Sequence, residues 1–223
     1  GHRRTRSMTP STEQNGDLAA LRKEYRLHRL SKEDVDRDPL CQFARWFDEA
    51  TAAGEADPNA MTLATASPDG RPSARVVLLK GVDGGGFVFF TNTRSKKGEE
   101  LAVNPAAALV FFWPTLERQV RIEGTAHAVT RAESQAYFST RPRESRIGAW
   151  ASDQSRVITS REALEVSFLN RTKEFGDGEI PLPDHWGGYR LLPDRVEFWQ
   201  GRENRLHDRI LFVLEGQAWT IRR

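Results

Sequence analysis

The sequence contains a single cysteine, Cys41, among its 223 residues. One cysteine excludes an intramolecular disulfide, and the lack of a CxxC pair or a Cys/His set leaves no common metal-binding motif. Cys41 lies in the segment DPLCQFARWF, whose apolar residues have helical spacing. We therefore expect a buried structural thiol rather than a nucleophile, and no metal site.

Long apolar runs and a strong excess of one charge are also missing. No run approaches the length of a membrane-spanning helix and no signal peptide opens the chain, so we predict a cytoplasmic location. Lys and Arg number 33 against 31 Asp and Glu, and this near balance argues against a nucleic-acid-binding protein. The GxGxxG, Walker, HExxH and GxSxG motifs are absent too, which leaves no clear side-chain nucleophile.

What is present is a group of strand-like segments flanked by helix-like ones. Periodicity and cap signals predict helices over 17–30, 38–54 and 160–176, with shorter ones in SKKGEELAVNP and TRAESQAYFSTRP. Strands are predicted in AMTLATA and SARVVLLK, as a hairpin, and in GFVFFTN, AAALVFFW, RQVRIEGTAHAV, YRLLP, RVEFWQG, HDRILFVL and QAWTIRR. This order predicts a mainly β protein, an antiparallel barrel or sheet with peripheral helices. We expect one domain over 17–223, preceded at 1–16 by a disordered tail or a cloning remnant.

Basic residues are concentrated at a few places along these elements. In an extended RLHDR segment, Arg205, His207 and Arg209 would share one face, which indicates either a solvated strand face or an anion site. Arg75 and Lys80 in SARVVLLK would face opposite sides of their strand. Each of these two cations needs an anion or a position at the strand end, and the second explanation is the simpler one for Lys80.

Two further segments have the composition of phosphate sites. Ser95 is a candidate helix cap followed by Lys96 and Lys97, which suits a bound phosphate or, equally, two solvated lysines. Tyr137, Arg141 and Ser145 repeat at spacings of four, next to Arg143 and Arg146, and Gln154 and Ser155 add neutral donors. Two separate anions indicate a phosphorylated cofactor together with a phosphorylated substrate.

Several motifs resemble one known family. RVVLLK, FFTNTRSKKGEEL, ERQVRIEG, YFSTRPRESRIGAWAS, PLPDHWGGYRL and EFWQGRENRLHDR are similar, in order from Leu21 to Arg223, to the pyridoxamine 5′-phosphate oxidase family. The resemblance implies an FMN-binding antiparallel split β-barrel that forms a homodimer with two active sites at the subunit interface. It also implies oxidation of pyridoxamine 5′-phosphate and pyridoxine 5′-phosphate to pyridoxal 5′-phosphate in vitamin B6 metabolism. Dioxygen would accept the electrons and hydrogen peroxide would be released.

The resemblance implies roles for particular residues. FMN would be bound by Arg75, Val76, Lys80, Phe90, Thr91, Lys96, Lys97, Gln119, Gln154, Ser155, Trp199 and Arg209. The substrate would be bound by Arg22, Tyr25, Lys80, Tyr137, Arg141, Ser145, Arg205 and His207, the last two being the catalytic pair beside the flavin. Arg146 stands where the family has Gln, Phe90 where Tyr is frequent and Lys96 where Arg is common. None of these departures removes a proposed catalytic group.

Two other functions stay open at this point. One is a flavin or pyridoxal-phosphate carrier without catalysis, which has less need of Tyr137, Arg141, Arg205 and His207. The other is a different split-barrel flavoenzyme, such as a flavin reductase, which has no need of a substrate-phosphate set. The presence of both sets favours the oxidase.

Overall fold

The computed structural model describes residues 18–152 and 156–223. The predicted tail at 1–16 and the predicted donors Gln154 and Ser155 lie outside the described residues. The division into a tail and one domain stays a prediction. The helices are α1 (Pro39–Ala52), α2 (Lys96–Val103), α3 (Arg131–Phe138), α4 (Arg143–Ala151) and α5 (Arg161–Phe175). The strands are β1 (Ala60–Ala66), β2 (Pro72–Leu78), β3 (Gly81–Asp83), β4 (Gly86–Asn92), β5 (Ala106–Trp113), β6 (Arg118–Ala128), β7 (Trp186–Gln200), β8 (Asp208–Glu215) and β9 (Ala218–Arg222).

The strands form one antiparallel sheet. Its order is β2-β1-β5-β6-β7-β4-β3, and β8 and β9 extend from the far half of β7. The predicted hairpin is confirmed, since β1 and β2 pair in register from Ala60 with Leu78 to Ala66 with Pro72. The sheet curls so that β2 approaches β4, and the Lys80 N–H donates to the Val88 carbonyl at 2.8 Å. The predicted antiparallel architecture with flanking helices is confirmed.

Strand β7 is one continuous strand, so the prediction of two strands, YRLLP and RVEFWQG, is wrong. Its first half pairs with β4, its second half pairs with β8, and β6 pairs along its other edge. The register between β6 and β7 shifts where Glu123 pairs with Arg195 and Gly124 pairs with Pro193, so Asp194 is the extra residue of a bulge on β7. This bulge accommodates Pro193 within the ladder. Gly124 is required here because a Cβ atom would collide with the Leu192 carbonyl oxygen.

The core lies between α1 and the inner face of the sheet. Asp38 caps α1 through the Leu40 N–H, and Pro39 occupies the first turn, as the sequence predicts. Phe43 and Trp46 are buried, and the Phe43 ring packs 4.9 Å from Phe111. A second, smaller cluster beneath α3, α4 and α5 contains Phe138, Ile147, Ile180 and Trp186. These two clusters fix the elements whose ends form the site.

The helix predicted over 17–30 is wrong for residues 21–30, which we call the strap. The strap is not helical, and its N–H groups are bound by distant carboxylates: Glu117 accepts from Arg26 and Leu27, and Asp208 accepts from Leu30. These tertiary hydrogen bonds override the helical periodicity of the segment, which is a weak preference by itself.

Three local predictions also need correction. RLHDR is not one strand, because Asn204 and Arg205 have positive φ angles of 55° and 59° and β8 begins only at Asp208. Arg205 and His207 therefore lie on a loop and share no strand face with Arg209. Cys41 is exposed, because it lies on the solvent side of α1. The sequence predicts a helix that is broken at Pro142 and no helix after it, whereas Pro142 is the N-cap of helix α4.

Among the described residues, no helix has the length and apolar character needed to cross a membrane.

Candidate active site

A cavity of about 700 Å³ opens between β2, β4, α3 and the start of α4. We call it the cationic pocket. The sequence-predicted residues that line it are Val76, Lys80, Phe90, Thr91, Lys97, Tyr137, Arg141 and Ser145. The structure thus brings the predicted substrate-phosphate set together with part of the predicted cofactor set. Lys80 lies just past the end of β2, which confirms the predicted strand-end position of this cation.

Parallel aromatic rings form one wall of the cationic pocket. Phe90 stacks on Tyr137 with ring centroids 4.3 Å apart, and Trp186 stacks on the Phe90 ring at 5.4 Å. The Lys80 ammonium lies 5.7 Å from the Tyr137 centroid, and the Arg141 guanidinium lies 5.1 Å from that of Trp186. Trp186 was not predicted as a site residue, although it opens the WGGY motif. The wall presents cations and flat apolar surface to the same space.

Arg141 has spare hydrogen-bonding capacity. Its Nη1 atom is buried and has no hydrogen-bond partner among the described residues. Burial lowers the pKa of Arg141, although the guanidinium stays charged at any physiological pH. An unpaired buried donor on a cation is costly, so the geometry fits an anion with several acceptor oxygens, such as a phosphate.

The N-terminus of α2 brings a third cation into this pocket, after Lys80 and Arg141. Ser95 caps the helix through the Gly98 N–H, as predicted, and Lys97 in the first turn is only 7% exposed. Burial, and then the charge of Arg75, lower the pKa of Lys97 to about 8. Two cations close together at a positive helix end favour a bound anion. Lys96, by contrast, is exposed and is not among the described residues that line the cationic pocket.

Arg75 is held in place by its neighbours on β1 and β2. Its guanidinium donates to Thr65 Oγ1 at 2.6 Å, to Ser73 Oγ at 2.8 Å and to the Leu63 carbonyl at 3.2 Å. The buried Glu100 carboxylate of α2 lies 3.6 Å away. This carboxylate, which was not predicted, offsets one of the two positive charges of Arg75 and Lys97, so that the cluster retains net positive charge.

A second cavity, of about 690 Å³, lies between the strap and the loop that follows β7. We call it the strap cleft. Its lining includes four sequence-predicted residues, Arg22, Tyr25, Arg205 and His207. Among the residues that the structure describes, it shares no lining residue with the cationic pocket. The predicted catalytic pair and the predicted phosphate ligands are therefore in different cavities of one protomer.

His207 is held as a neutral imidazole in a defined tautomer. Its Nδ1 atom accepts a hydrogen bond from the Arg202 N–H at 2.9 Å, so the ring proton of the neutral form is on Nε2. Burial lowers the pKa of His207, and the charges of Arg209 and Arg205 lower it further. The Trp199 ring packs against the imidazole at 4.6 Å. The Nε2–H group is thus an available donor at neutral pH.

Asp208, beside His207, ties three segments together. Its carboxylate accepts from Arg202 at 2.7 Å, from Arg223 at 2.6 Å and from the Leu30 N–H at 3.1 Å. Burial acts to raise the pKa of Asp208, but the hydrogen bonds from Arg202 and Leu30 and the two positive charges outweigh it, so the pKa lies below its usual value. Asp208 therefore stays ionised and orders the loop that contains Arg205 and His207.

The other predicted cofactor residues lie on the outer face of the sheet. Gln119 pairs with Trp199, and Trp199 pairs with Arg209, so the three side chains stand side by side on β6, β7 and β8. The same face carries exposed apolar side chains, Val76 at 68%, Leu78 at 44% and Phe112 at 54% exposure. Phe112 is directly opposite Gln119. This outer face connects the rim of the cationic pocket with the strap cleft.

Two family models match the chain. Residues 47–172 match pyridoxamine 5′-phosphate oxidase, and residues 186–223 match the pyridoxine 5′-phosphate oxidase C-terminal dimerisation region. A pyridoxine/pyridoxamine 5′-phosphate oxidase of Paraburkholderia phymatum is 59% identical over 207 residues, which cover 92% of this chain and 97% of that protein. Its counterpart from Cyanothece sp. is 57% identical over 206 residues, with the same coverage of 92% and 97%.

Solved structures show the same fold. PhzG from Burkholderia lata, in complex with tetrahydrophenazine-1-carboxylic acid, has a TM-score of 0.83 at 30% identity and covers 88% of this chain and 97% of its own. A pyridoxamine 5′-phosphate oxidase-related, FMN-binding protein from Nostoc punctiforme has a TM-score of 0.65 at 20% identity, with coverage of 81% and 95%. The predicted split-barrel fold is confirmed by this likeness.

Proposed function

This chain belongs to the pyridoxamine 5′-phosphate oxidase family, and from that premise we propose that it oxidises pyridoxamine 5′-phosphate and pyridoxine 5′-phosphate to pyridoxal 5′-phosphate with FMN as cofactor. The observation that supports this most directly is the cationic pocket. There, the set that we assign to the substrate phosphate includes the buried Arg141 Nη1 atom, which has no hydrogen-bond partner among the described residues, and it adjoins a second cationic cluster at the start of α2. One cavity thus offers sites for two phosphates.

The residues present fit FMN. Arg75 and Lys97 are preoriented cations beside a helix N-terminus, suited to a terminal phosphate, and Phe90 and Thr91 line the adjoining wall. The chemistry that FMN supplies when bound is two-electron oxidation of the substrate C4′ carbon, with dioxygen as final acceptor and hydrogen peroxide as product. The alcohol loses two hydrogens to become the aldehyde. The amine also takes up water and releases ammonia.

Lys80, Tyr137, Arg141 and Ser145 then bind the substrate phosphate. Arg141 and Lys80 supply charge, and the Tyr137 and Ser145 hydroxyls supply hydrogen bonds of defined direction. Arg141 is braced on the Trp186 face, so little side-chain entropy is lost on binding. The phosphate contacts fix one end of the substrate. They thereby restrict the positions that the reacting carbon at the other end can take.

Arg205 and His207 act on the ring end of the substrate. His207 donates from Nε2, while its Nδ1 atom stays occupied by the Arg202 N–H. The Nε2–H group can therefore orient the substrate through a hydrogen bond, and the ring proton of His207 has a defined position on Nε2. Arg205 adds a positive charge at the same rim, which suits an anionic ring oxygen or developing negative charge.

A second copy of the chain is needed to join these parts, so we propose a homodimer with both active sites at its interface. Within one protomer, the cationic pocket and the strap cleft have no described lining residue in common. The outer face with Gln119, Trp199 and Arg209 lies between them and exposes Val76 and Phe112. Burying that face against a partner would bring the strap cleft of one copy to the cationic pocket of the other. The match of residues 186–223 to a dimerisation region supports this proposal.

The test is an aerobic assay with added FMN and pyridoxine 5′-phosphate, in which aldehyde and peroxide are followed together. Equimolar appearance of both supports the oxidase. Binding of FMN without turnover of either phosphorylated vitamer would indicate a carrier. Turnover of an unphosphorylated ring compound alone would indicate a different flavoenzyme. Pyridoxine, which lacks the phosphate, is the matched control and should react far more slowly. The predicted cytoplasmic location stays a prediction that cell fractionation can test.

A further inference from the structure

The strap is bound to the rest of the chain through backbone N–H groups and two buried carboxylates. Glu117 Oε1 accepts from the Arg26 N–H and the Leu27 N–H, each at 3.0 Å. Asp208 Oδ2 accepts from the Leu30 N–H at 3.1 Å. Asp208 also accepts hydrogen bonds from Arg202 and Arg223. Within the described residues, the Glu117 carboxylate accepts hydrogen bonds from strap N–H groups alone. Glu117 is therefore the residue whose side chain is dedicated to the strap.

Glu117 occupies a backbone position that disfavours it. It follows the 3₁₀ turn Pro114–Leu116 with φ 57° and ψ 44°, a left-handed conformation that glycine adopts at little cost. Glu117 is nonetheless only 2% exposed, and the N–H groups of Arg26 and Leu27 donate to its carboxylate. Burying a carboxylate is costly unless it is hydrogen-bonded, so the two strap N–H groups are what make this residue tolerable here.

The bonds to Glu117 also determine where Tyr25 lies. Tyr25 directly precedes Arg26, and its ring packs edge-on against Trp199 at 5.8 Å and against His207 at 5.9 Å. The Glu117 carbonyl meanwhile accepts from the Gly201 N–H at 2.7 Å. A Cβ atom on Gly201 would lie only 2.7 Å from Tyr25 Cγ, so strap and loop are in close contact. One residue thus holds both walls of the strap cleft, the strap by its side chain and the loop by its main chain.

We propose that Glu117 is a positioning residue for the substrate side of the active site. It acts through Tyr25, by fixing the strap backbone so that the Tyr25 ring is held against Trp199 and His207. This inference rests on the proposed function, because it assigns the strap cleft to the ring end of the substrate. The position of Tyr25 itself does not depend on which substrate is used.

The first measurement is amide hydrogen exchange on the FMN-loaded protein. Glu117→Gly removes the carboxylate while suiting the left-handed backbone, so we expect the fold to be preserved. We expect the Arg26 and Leu27 amides to exchange about tenfold faster or more, as loss of hydrogen bonds to a charged acceptor predicts. Asp57→Gly is the matched control, since Asp57 is an exposed acidic residue at φ 45°. It should leave strap exchange unchanged. Glu117→Gln keeps an acceptor oxygen and should restore most of the protection.

The second measurement separates positioning from general stability. In Glu117→Gly, we expect KM for pyridoxine 5′-phosphate to rise by about five- to tenfold with a smaller change in kcat, and FMN affinity to stay unchanged. The double variant Glu117→Gly/Tyr25→Ala should be no worse than Tyr25→Ala alone, because Glu117 acts through Tyr25. Glu117→Gln should have a KM near that of the unaltered protein.

Different results overturn different statements. Unchanged exchange at Arg26 and Leu27 in Glu117→Gly shows that Glu117 does not hold the strap. Additive effects of the two substitutions on KM show that it does not act through Tyr25. If the unaltered protein oxidises neither phosphorylated vitamer, the proposed function fails, while the exchange experiment still decides whether Glu117 holds the strap. If Glu117→Gly does not fold, Glu117→Ala replaces it as the variant without an acceptor, and Glu117→Gln stays the matched variant that keeps one.

Discussion

FMN should bind progressively more weakly as the pH rises above about 8, because Lys97 loses its proton there. Burial and the charge of Arg75 hold the pKa of Lys97 at about 8 before FMN binds. A bound phosphate dianion would raise that pKa, so binding takes up a proton whenever Lys97 starts neutral. The contribution of Lys97 is therefore complete well below pH 8 and is lost progressively as the pH rises from about 8 toward the higher pKa of the bound state.

The expected size of this effect follows from the same pKa. At pH 7 about nine-tenths of Lys97 is protonated in the FMN-free protein, and at pH 9 about one-tenth is, so the Kd for FMN should rise about tenfold over this interval. The phosphate ester is already a dianion throughout this range, because its second pKa is about 6. Quenching of flavin fluorescence during titration of the FMN-free protein gives Kd directly.

Two controls test the assignment. Riboflavin lacks the phosphate, so its weaker binding should show no such slope. Lys97→Arg keeps its charge to high pH, so its Kd for FMN should be nearly flat between pH 7 and 9. An equal slope for riboflavin, or an unchanged slope in Lys97→Arg, would show that another group titrates and that Lys97 does not contact the phosphate.

Three further predictions concern the other parts of the site. Arg141→Met should raise KM for pyridoxine 5′-phosphate by about 10- to 100-fold, and unchanged KM in steady-state kinetics would refute its phosphate role. Gly201→Ala should place a methyl group against the Tyr25 ring and raise KM for pyridoxine 5′-phosphate a few-fold, which corresponds to about 1 kcal/mol. Its affinity for FMN, measured by flavin fluorescence, should be unchanged. Phe112→Glu should shift the protein toward monomer in light scattering, whereas Leu169→Glu on α5 should not. A dimeric Phe112→Glu variant would contradict the proposed interface.

Local signals predicted those elements whose ends are fixed by neighbouring residues. Asp38 and Pro39 mark the start of α1, Ser95 marks that of α2, and both helices begin where these residues indicate. The β1–β2 hairpin likewise follows from its own turn and alternation. In each case, the group that satisfies the backbone lies within a few residues along the chain, so the sequence itself contains the decisive information.

The strap and β7 show where such signals fail. The strap has helical spacing, but Glu117 is about 90 residues away from the N–H groups it binds, and no local pattern records that pairing. Pro193 suggests a strand end, yet a bulge at the next residue of β7, formed in its pairing with β6, accommodates the proline. Both the strap conformation and the continuity of β7 depend on contacts with residues distant in sequence, which the periodicity of a segment does not contain.

The sequence predicted several residues of the candidate site, but not how these residues are distributed between cavities. Residue types and the family resemblance identified Lys80, Tyr137 and Arg141, and the structure places them in one pocket. Neither source indicated that Arg205 and His207 lie in a separate cavity of the same protomer. Glu100 and Glu117 were missed because a buried carboxylate that orients another group has the same sequence signature as a solvated one.

Strand β7 has a consequence for how the chain acquires its structure during synthesis. β4 and β6 both pair with β7, which begins only at Trp186, more than ninety residues after β4 ends at Asn92. Until β7 emerges, β4 and β6 each present an unpaired edge, the kind of edge that recruits strands from other chains. Such long-range closure is slow, because loop entropy is lost before contacts form. The nascent chain is thus most exposed to aggregation between completion of β6 and addition of β7, and chains interrupted before Trp186 should be recovered mainly as aggregates.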